Sequence, residues 1–467
     1  MPIPYVKGET VSCLSGGSSN EGLNRPYRFD IEVISLAPTI GLDRLLRQSA
    51  FLSLGNGQCI HGLVYSAGRE HRGPHRIHYN LVLVPYLQIL EQQRSRRVFH
   101  RQSVPAILRQ LLEEHRLPEH SYRFELNTGH YPARPFCIQY EETDLALVQR
   151  LCEEEGIHYH FEHHEDRHVL VLADDSLSFP QEPVLISFHG EVSCAPVLPA
   201  ISELFQRYDS PTAPAYQEAK DRGEQTASQG AANHTLAGSH RLQNRCASEQ
   251  RHGDQLSRRT LQRLRCLHPQ ICGKSDQPRF LSGHIVQVDK HPVPCFNDQW
   301  LLIDIRHQGH HPSTLDDRRP AAPQGYRNQF TATAWSTVFR PPLKQLRPCI
   351  PGYQPARVLG PAGQSAPVDD HGRIQVSLWP NAGSGVEASH GIWLPVVIST
   401  ANGRAETTRL PMAGSDVLVS FLDSDPDRPV LCIDTPPAST PQVDRHERRS
   451  DTRLLLDWLI NRPDLKP

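Results

Sequence analysis

Apolar and polar residues alternate at period two over most of the first ninety positions. PYRFDIEVISL (26–36), AFLSLGNGQCIHGLVYSAG (50–68) and HRIHYNLVLVPYLQIL (75–90) carry the pattern around Gly55, Gly57 and Gly62, as strands with one face on a core do. They predict an antiparallel sheet or barrel. The period then lengthens. Ser103 stands as an N-cap before VPAILRQLLEEHRL (104–117), with Pro105 in the first turn and Ile107, Leu108, Leu111 and Leu112 on one face up to Pro118, which predicts a one-sided helix. A second helix is predicted after Thr143 or Asp144, with Leu145, Val148, Leu151 and Cys152 as its buried stripe and Gly156 as its left-handed exit. Strand composition resumes at 157–163 and 168–173, and the charged HEDR between them predicts a hairpin.

Residues 210–260 are polar and poor in aromatics, the composition of an exposed loop. Leu256, Leu261 and Leu264 then predict a basic helix, followed by the strand-like FLSGHIVQVD (280–289), QWLLIDIRHQG (299–309) and QFTATAWSTVF (329–339). The first unit is expected to span 1–340. A proline-bearing link (341–353) leads to a second β unit (354–435), whose five strands, ARVLGP, GRIQVSLWP, GIWLPVVIST, SDVLVSFLD and PVLCI, fit a small closed barrel. Its apolar candidates are Ile374, Val376, Leu378, Trp393, Val417, Val419 and Phe421. A polar linker (436–451) precedes a short amphipathic helix candidate (452–467) bearing Leu455, Trp458 and Leu459. A helix that short is marginal alone, so it is expected either to dock a partner or to pack back on its own chain.

Composition sharpens this picture in three ways. The chain has 30 glycines and 40 prolines, punctuation that suits a β-rich fold and excludes a long-helix protein. Its 49 Lys and Arg nearly cancel 51 Asp and Glu, which removes any global pull toward nucleic acid or anionic membrane. The 11 cysteines are scattered singly without metal-finger spacing, so reduced thiols in a cytosolic compartment are expected. The opening MPIPYVKGETVS lacks a basic region followed by an apolar stretch, and no segment approaches the roughly 18 apolar residues of a spanning helix. The expectation is a chain folded in the cytoplasm, exported if at all by another machine, with no stable membrane insertion.

Candidate chemistry is sparse. His164 to His168 reads H-E-x-x-H, the metalloprotease pattern in which a helix aligns two zinc ligands and a glutamate base. The β-type flanks deny it that helix, so a solvated turn is the expected reading and a zinc-dependent hydrolase the alternative; nearby His158, His160 and His163 add adventitious metal affinity. Asp423, Asp425 and Asp427 alternate as in a calcium loop but lack its glycine and its closing glutamate. Gly273, Lys274 and Ser275 resemble the end of a phosphate loop, yet His268 replaces the required glycine. The acidic run Glu153 to Glu155 and the basic positions Arg258, Arg259, Arg263 and Arg265 are expected to be solvated faces or, for the arginines, a contact to an acidic neighbouring subunit. No catalytic residue, metal or cofactor is expected.

Two stretches, PFCIQYEETDLALVQRLCEEEGIHYHFEHHEDRHVLVLAD (135–174) and DDHGRIQVSLWP with AGSDVLVSFLDSDPDRPVLCI (369–433), resemble the VgrG family of type VI secretion spike proteins, relatives of the hub and needle of contractile phage tails. NRPYRFDIEVISL, RRVFHRQSVPAILRQLLEEH and RPPLKQLRPCIPGYQPARVLGPAG extend the resemblance from about residue 20 to residue 435. It implies a mainly β fold: two related hub-type β-barrels with inserted helices up to residue 340, then an OB-fold barrel. It also implies a homotrimer seated on a hexameric Hcp tube among baseplate proteins, mechanical rather than enzymatic, in which the small-barrel candidates divide between core and trimer contact. Its further partners would be a PAAR tip, a separate needle, or an effector or adaptor; a phage tail, tailocin or extracellular injection hub is the close alternative. Family members continue into a valine- and glycine-repeating β-helix needle, and residues 437–467 carry no such repeat, so no β-helix is expected here.

Overall fold

The computed structural model describes short strands at 5–6 and 9–10, then residues 13–36, 40–55, 58–71, 76–189, 199–207, 247–266, 270–310, 325–380, 391–399 and 410–434. The fold is mainly β, as the period-two pattern predicts. Strands Cys13–Gly22, Arg25–Leu36, Arg76–Val84, Gln58–His71 and Ser49–Gly55 lie side by side in that order, all antiparallel. Tyr27, Phe29, Ile31 and Val33 face inward from alternate positions into a core shared with Ile60, Tyr79 and Leu83. Helices Val104–Glu114 and Asp144–Glu155 cover this first lobe, burying Ile107, Leu108, Leu111, Leu147, Val148 and Leu151.

A second lobe follows the same logic with its own core. Strands Ile201–Arg207, Gln270–Ser275, Gly325–Ala334 and Gln299–His310 are antiparallel neighbours, and Ile285–Asp289 ties the parallel strand Val184–Ser187 to Gln299–His310. Phe280, Val286, Leu302, Ile305 and Phe330 fill it. The lobes are joined strand to strand, because Gln299–His310 also pairs with Cys13–Gly22, setting Ile305 opposite Glu21 and His307 opposite Ser19. The two lobes therefore keep separate main cores but share one continuous hydrogen-bonded sheet.

The five strands of the second β unit, Tyr353–Val358, Arg373–Leu378, Ile392–Ser399, Pro429–Asp434 and Asp416–Phe421, close into a barrel in that spatial order. Closure leaves no free edge.

Three local expectations need correcting. Ser103 occupies the N-cap position without a side-chain cap bond, and its helix ends at Glu114 rather than Pro118, because Arg116 turns left-handed (φ 55°). Thr143, by contrast, caps its helix by accepting the Ala146 N–H, and Gly156 leaves it at φ 69°. The polar stretch read as a loop to residue 260 becomes helical at Ala247 and runs to Cys266. Its buried face is not the leucine stripe: Leu261 is exposed, while Arg259, Arg263 and Cys266 are buried. Residues 208–246 and 435–467, the latter with Leu455, Trp458 and Leu459, lie outside the described residues.

Candidate functional site

The arginine face of helix Ala247–Cys266 lies against the end of helix Asp144–Glu155, where Glu153 and Glu155 of the acidic run are buried rather than solvated and Glu154 is partly buried. Glu155 is 1% exposed and Glu153 3%. The three carboxylates have different partners, with Arg134 shared between Glu154 and Glu155. Glu155 accepts from Arg134 Nη2 at 2.8 Å and lies 2.8 Å from His252 Nε2. Glu153 accepts the backbone N–H groups of Lys344 and Gln345, both at 2.7 Å, which pins the start of the link to the hub. Glu154 meets Arg134 and Arg150 at 3.3 and 3.2 Å, and Arg347 Nε at 3.1 Å.

The cations hold backbone as well as carboxylates. Arg259 donates to the Glu155 carbonyl and the Tyr131 hydroxyl, Arg263 to the carbonyls of Pro341 (2.7 Å) and Glu153 (2.6 Å), and Arg340 to those of Gly156 (3.1 Å) and Asp174 (2.8 Å). Asp174, fully buried, accepts three backbone N–H groups, from Asn127, Thr128 and Gly129. Burial raises the Glu155 pKa, but His252 and Arg134 overcome it and hold the carboxyl below its ordinary value. For Glu153 burial wins over the Gln345 and Lys344 N–H groups, and its pKa is raised. Burial, with Arg259 nearby, pulls Arg340 down to about 10, still charged at neutral pH.

This clasp continues into the small barrel. Arg347 spans the boundary, touching Glu154 on the hub side and Asp427 at 3.1 Å on the barrel side. The Ile350 N–H donates to the Ser424 carbonyl at 3.0 Å. Ile138 and Tyr140, on hub strand Arg134–Thr143, belong to the same apolar cluster as Ile374, Val376, Leu394 and Val419, and Tyr140 packs on Trp379 with ring centroids 5.7 Å apart. The barrel core thus extends into the hub. An apolar core shared across this boundary resists relative movement better than a proline-bearing tether alone, because parting the two units would expose Ile138 and Tyr140 with the barrel residues they cover.

Of the predicted barrel residues, Ile374, Val376, Leu378, Val419 and Phe421 are buried in this cluster and Val417 packs partly against it. Trp393 is half-buried between the inward-facing Ile392 and Leu394, so it points to the outer face. Elsewhere on the barrel's outer surface Tyr353 (43%) and Leu418 (48%) are exposed on the paired strands Tyr353–Val358 and Asp416–Phe421, neither of which adjoins the strand of Trp393. Sequence reasoning missed Tyr353, Leu418 and the clasp. The spacing of Arg259, Arg263 and Cys266 on one helical face was the available signal for the clasp.

The metal and nucleotide motifs resolve into structure. His163 pairs with His168 across the hairpin and the His164 N–H closes the turn onto the Arg167 carbonyl. His164 is exposed and His168 buried, so the helix that would align them as zinc ligands is replaced by a β-turn. Asp423 pairs with Arg428, Asp427 with Arg347, and Asp425 accepts the Asp427 N–H, a polar turn. Gly273 to Ser275 lie within a strand, where Lys274 pairs with Glu203.

Residues 20–313 match the model of the phage tail baseplate hub (GPD) family. The chain belongs to that family. Within it, the chain is 38% identical over 433 residues to the type VI secretion system spike protein VgrG4b of Pseudomonas aeruginosa, covering 89% of this chain and 53% of that protein. It is 28% identical to the actin cross-linking toxin VgrG1 of Vibrio cholerae, covering 89% of this chain and 39% of the toxin. The chain therefore spans about half the length of the spike protein it matches. A solved E. coli type VI secretion component, described as structurally similar to the T4 bacteriophage tail proteins gp27 and gp5, superposes with a TM-score of 0.68 at 22% identity, covering 92% of this chain and 98% of that one. That likeness shows a shared hub-and-barrel fold. No helix among the described residues is long and apolar enough to cross a membrane.

Proposed function

We propose that this chain is a structural spike or hub component of a type VI secretion machine, without catalytic activity or cofactor of its own. Three copies would assemble coaxially, cap a hexameric Hcp tube, contact baseplate proteins, and carry a PAAR tip, needle, effector or adaptor outward; assembly is cytoplasmic and delivery is by the machine. The observation that carries this reading is the hub–barrel junction, where hub residues Ile138 and Tyr140 share the barrel's apolar core and the buried clasp pins the start of the link to the hub, an arrangement suited to transmitting an axial load. Trp393, Tyr353 and Leu418 on the barrel's outer surface are the trimer contacts in this reading: Tyr353 and Leu418 lie on paired strands and Trp393 on a strand that neighbours neither, so each copy would offer two apolar patches, one to each of its two neighbours in a three-fold ring. Light scattering of the full chain at micromolar concentration is expected to give three copies, and Leu418→Asp with Trp393→Glu to give a folded monomer. A monomeric parent protein, with its tube and tip partners present, would overturn the trimer.

The family match equally supports a phage tail or tailocin hub as the second reading. The protein recovered with the native particle separates them: an Hcp-type ring supports the first, a phage tail-tube protein the second. For the tail, Leu455, Trp458 and Leu459 are proposed to dock a cargo or needle partner. Trp458→Glu is expected to abolish its capture while leaving assembly intact, and unchanged capture would reject that role.

A further inference from the structure

The hairpin His158–His163 and His168–Ala173 carries the buried His158, His160 and His168 and the half-buried His163, and at its tip the last two join a directed hydrogen-bond chain with the first-lobe sheet. His168 Nε2 lies 3.0 Å from the Tyr86 backbone nitrogen. A backbone N–H only donates, so Nε2 accepts and the ring proton sits on Nδ1. His168 Nδ1 lies 3.1 Å from His61 Nδ1, which therefore accepts, leaving the His61 proton on Nε2, 2.8 Å from Ser49 Oγ. The His61 N–H in turn donates to His163 Nδ1 at 3.3 Å. Every one of these ring nitrogens is committed in the neutral form. A further proton on His168 Nε2 would face the Tyr86 N–H, and one on His61 Nδ1 would face the His168 N–H.

We propose that this hairpin is an acid-released element: the Tyr86–His168–His61–Ser49 chain fastens it to the first-lobe sheet in neutral surroundings and lets it go in acidic ones. The groups facing the chain do not rescue the charged form. Asp166 on the turn favours a charged His61, and Glu21 a charged His163, but burial dominates at both, with His284 opposing the charge on His163. His168 faces only His61 and His163 among titratable groups that shift it, and burial holds it well below its ordinary value. Tyr27 donates its hydroxyl to the His61 carbonyl and packs edge-on to both His163 and His168. On the hairpin's other face His160 has neither ring nitrogen partnered, between Glu162, Arg123 and His284, and His158 faces Ser178 and Arg340. The hairpin's base is held at Gly156 and Asp174 by Arg340, so the release is confined to the tip.

The direction follows from linkage. Each histidine is neutral while fastened and regains an ordinary pKa near 6.5 when released, so fastening is complete above about pH 6.5 and weakens as pH falls through it, up to about tenfold in the opening constant per unit per histidine. Amide hydrogen exchange of residues 158–173 in the full chain, corrected for intrinsic pH dependence, should show opening at least tenfold more frequent at about pH 5.5 than at about pH 7.5. His61→Gln with His168→Gln keeps one donor and one acceptor at each site without a titrating ring, and should cut that acid response at least tenfold. No acid response in the parent, or an equal response in the double variant, would overturn the proposal. Nitrogen-15 NMR of the parent keeps the test open even if the variant misfolds: it should find His168 protonated on Nδ1 and His61 on Nε2, and the reverse tautomers would contradict the chain.

Discussion

The small barrel and the clasp beneath it are held together by opposite means. In the barrel, Ile374, Val376, Val419 and Leu431 point inward from alternate strand positions and exclude water from one another. In the clasp, Glu153, Glu155, Arg259, Arg263 and Arg340 are buried too, yet each is an ionisable group with partners that come from other segments, mostly about 80 to 190 residues away. Loss of a barrel side chain leaves a cavity, whereas loss of the Glu155 carboxylate leaves Arg134 with Glu154 alone and His252 without its carboxylate. The clasp should therefore fail more abruptly, and its geometry is the more specific of the two.

The largest expected effect tests that contrast. Glu155→Ala should destabilise the hub by about 3–5 kcal/mol, since Arg134 and His252 lose their shared partner, as read by denaturant unfolding. Ile374→Ala should cost roughly 3 kcal/mol through a cavity, with faster amide exchange confined to the barrel and strand Arg134–Thr143. If both substitutions loosen both regions equally, the contrast collapses.

Acid should act in two stages. His163, lowered to about 4 by burial, and the buried histidines contribute stability that is complete above about pH 6.5 and lost as pH falls below it. Glu155, also lowered, keeps its contribution until pH falls through the ordinary carboxylate range. Acid titration monitored by near-UV circular dichroism should thus show the hairpin region responding before the clasp. Gly156→Ala should cost about 1–2 kcal/mol, from the left-handed backbone and from a Cβ only 3.0 Å from Arg259 Cδ. Smallest is Arg347→Ala: the side chain is half exposed, so its bridge from Glu154 to Asp427 should contribute less than about 1 kcal/mol and vanish in high salt.

The same contrast explains what was legible in the sequence. Strands 26–36 and 373–378, the stripe of helix Asp144–Glu155 and the hairpin at HEDR were readable because apolar period and turn chemistry are local properties. Closure of the barrel followed from strand count. The clasp was not readable, because a charge looks solvated until its partner is known, and Glu155 meets His252 97 residues away. His168 was visible only as half of a metal pattern; its actual partner, His61, is 107 residues distant. The start of the long helix at Ala247 was hidden by polar composition, since its buried face is built on arginine rather than leucine.

The claim on which the account rests is that hub and small barrel form one mechanical body. Optical-tweezer pulling between handles at exposed positions 65 and 368 tests it most directly. The account predicts that extension begins only when one unit itself unfolds; an earlier low-force step that parts a folded barrel from a folded hub would contradict it.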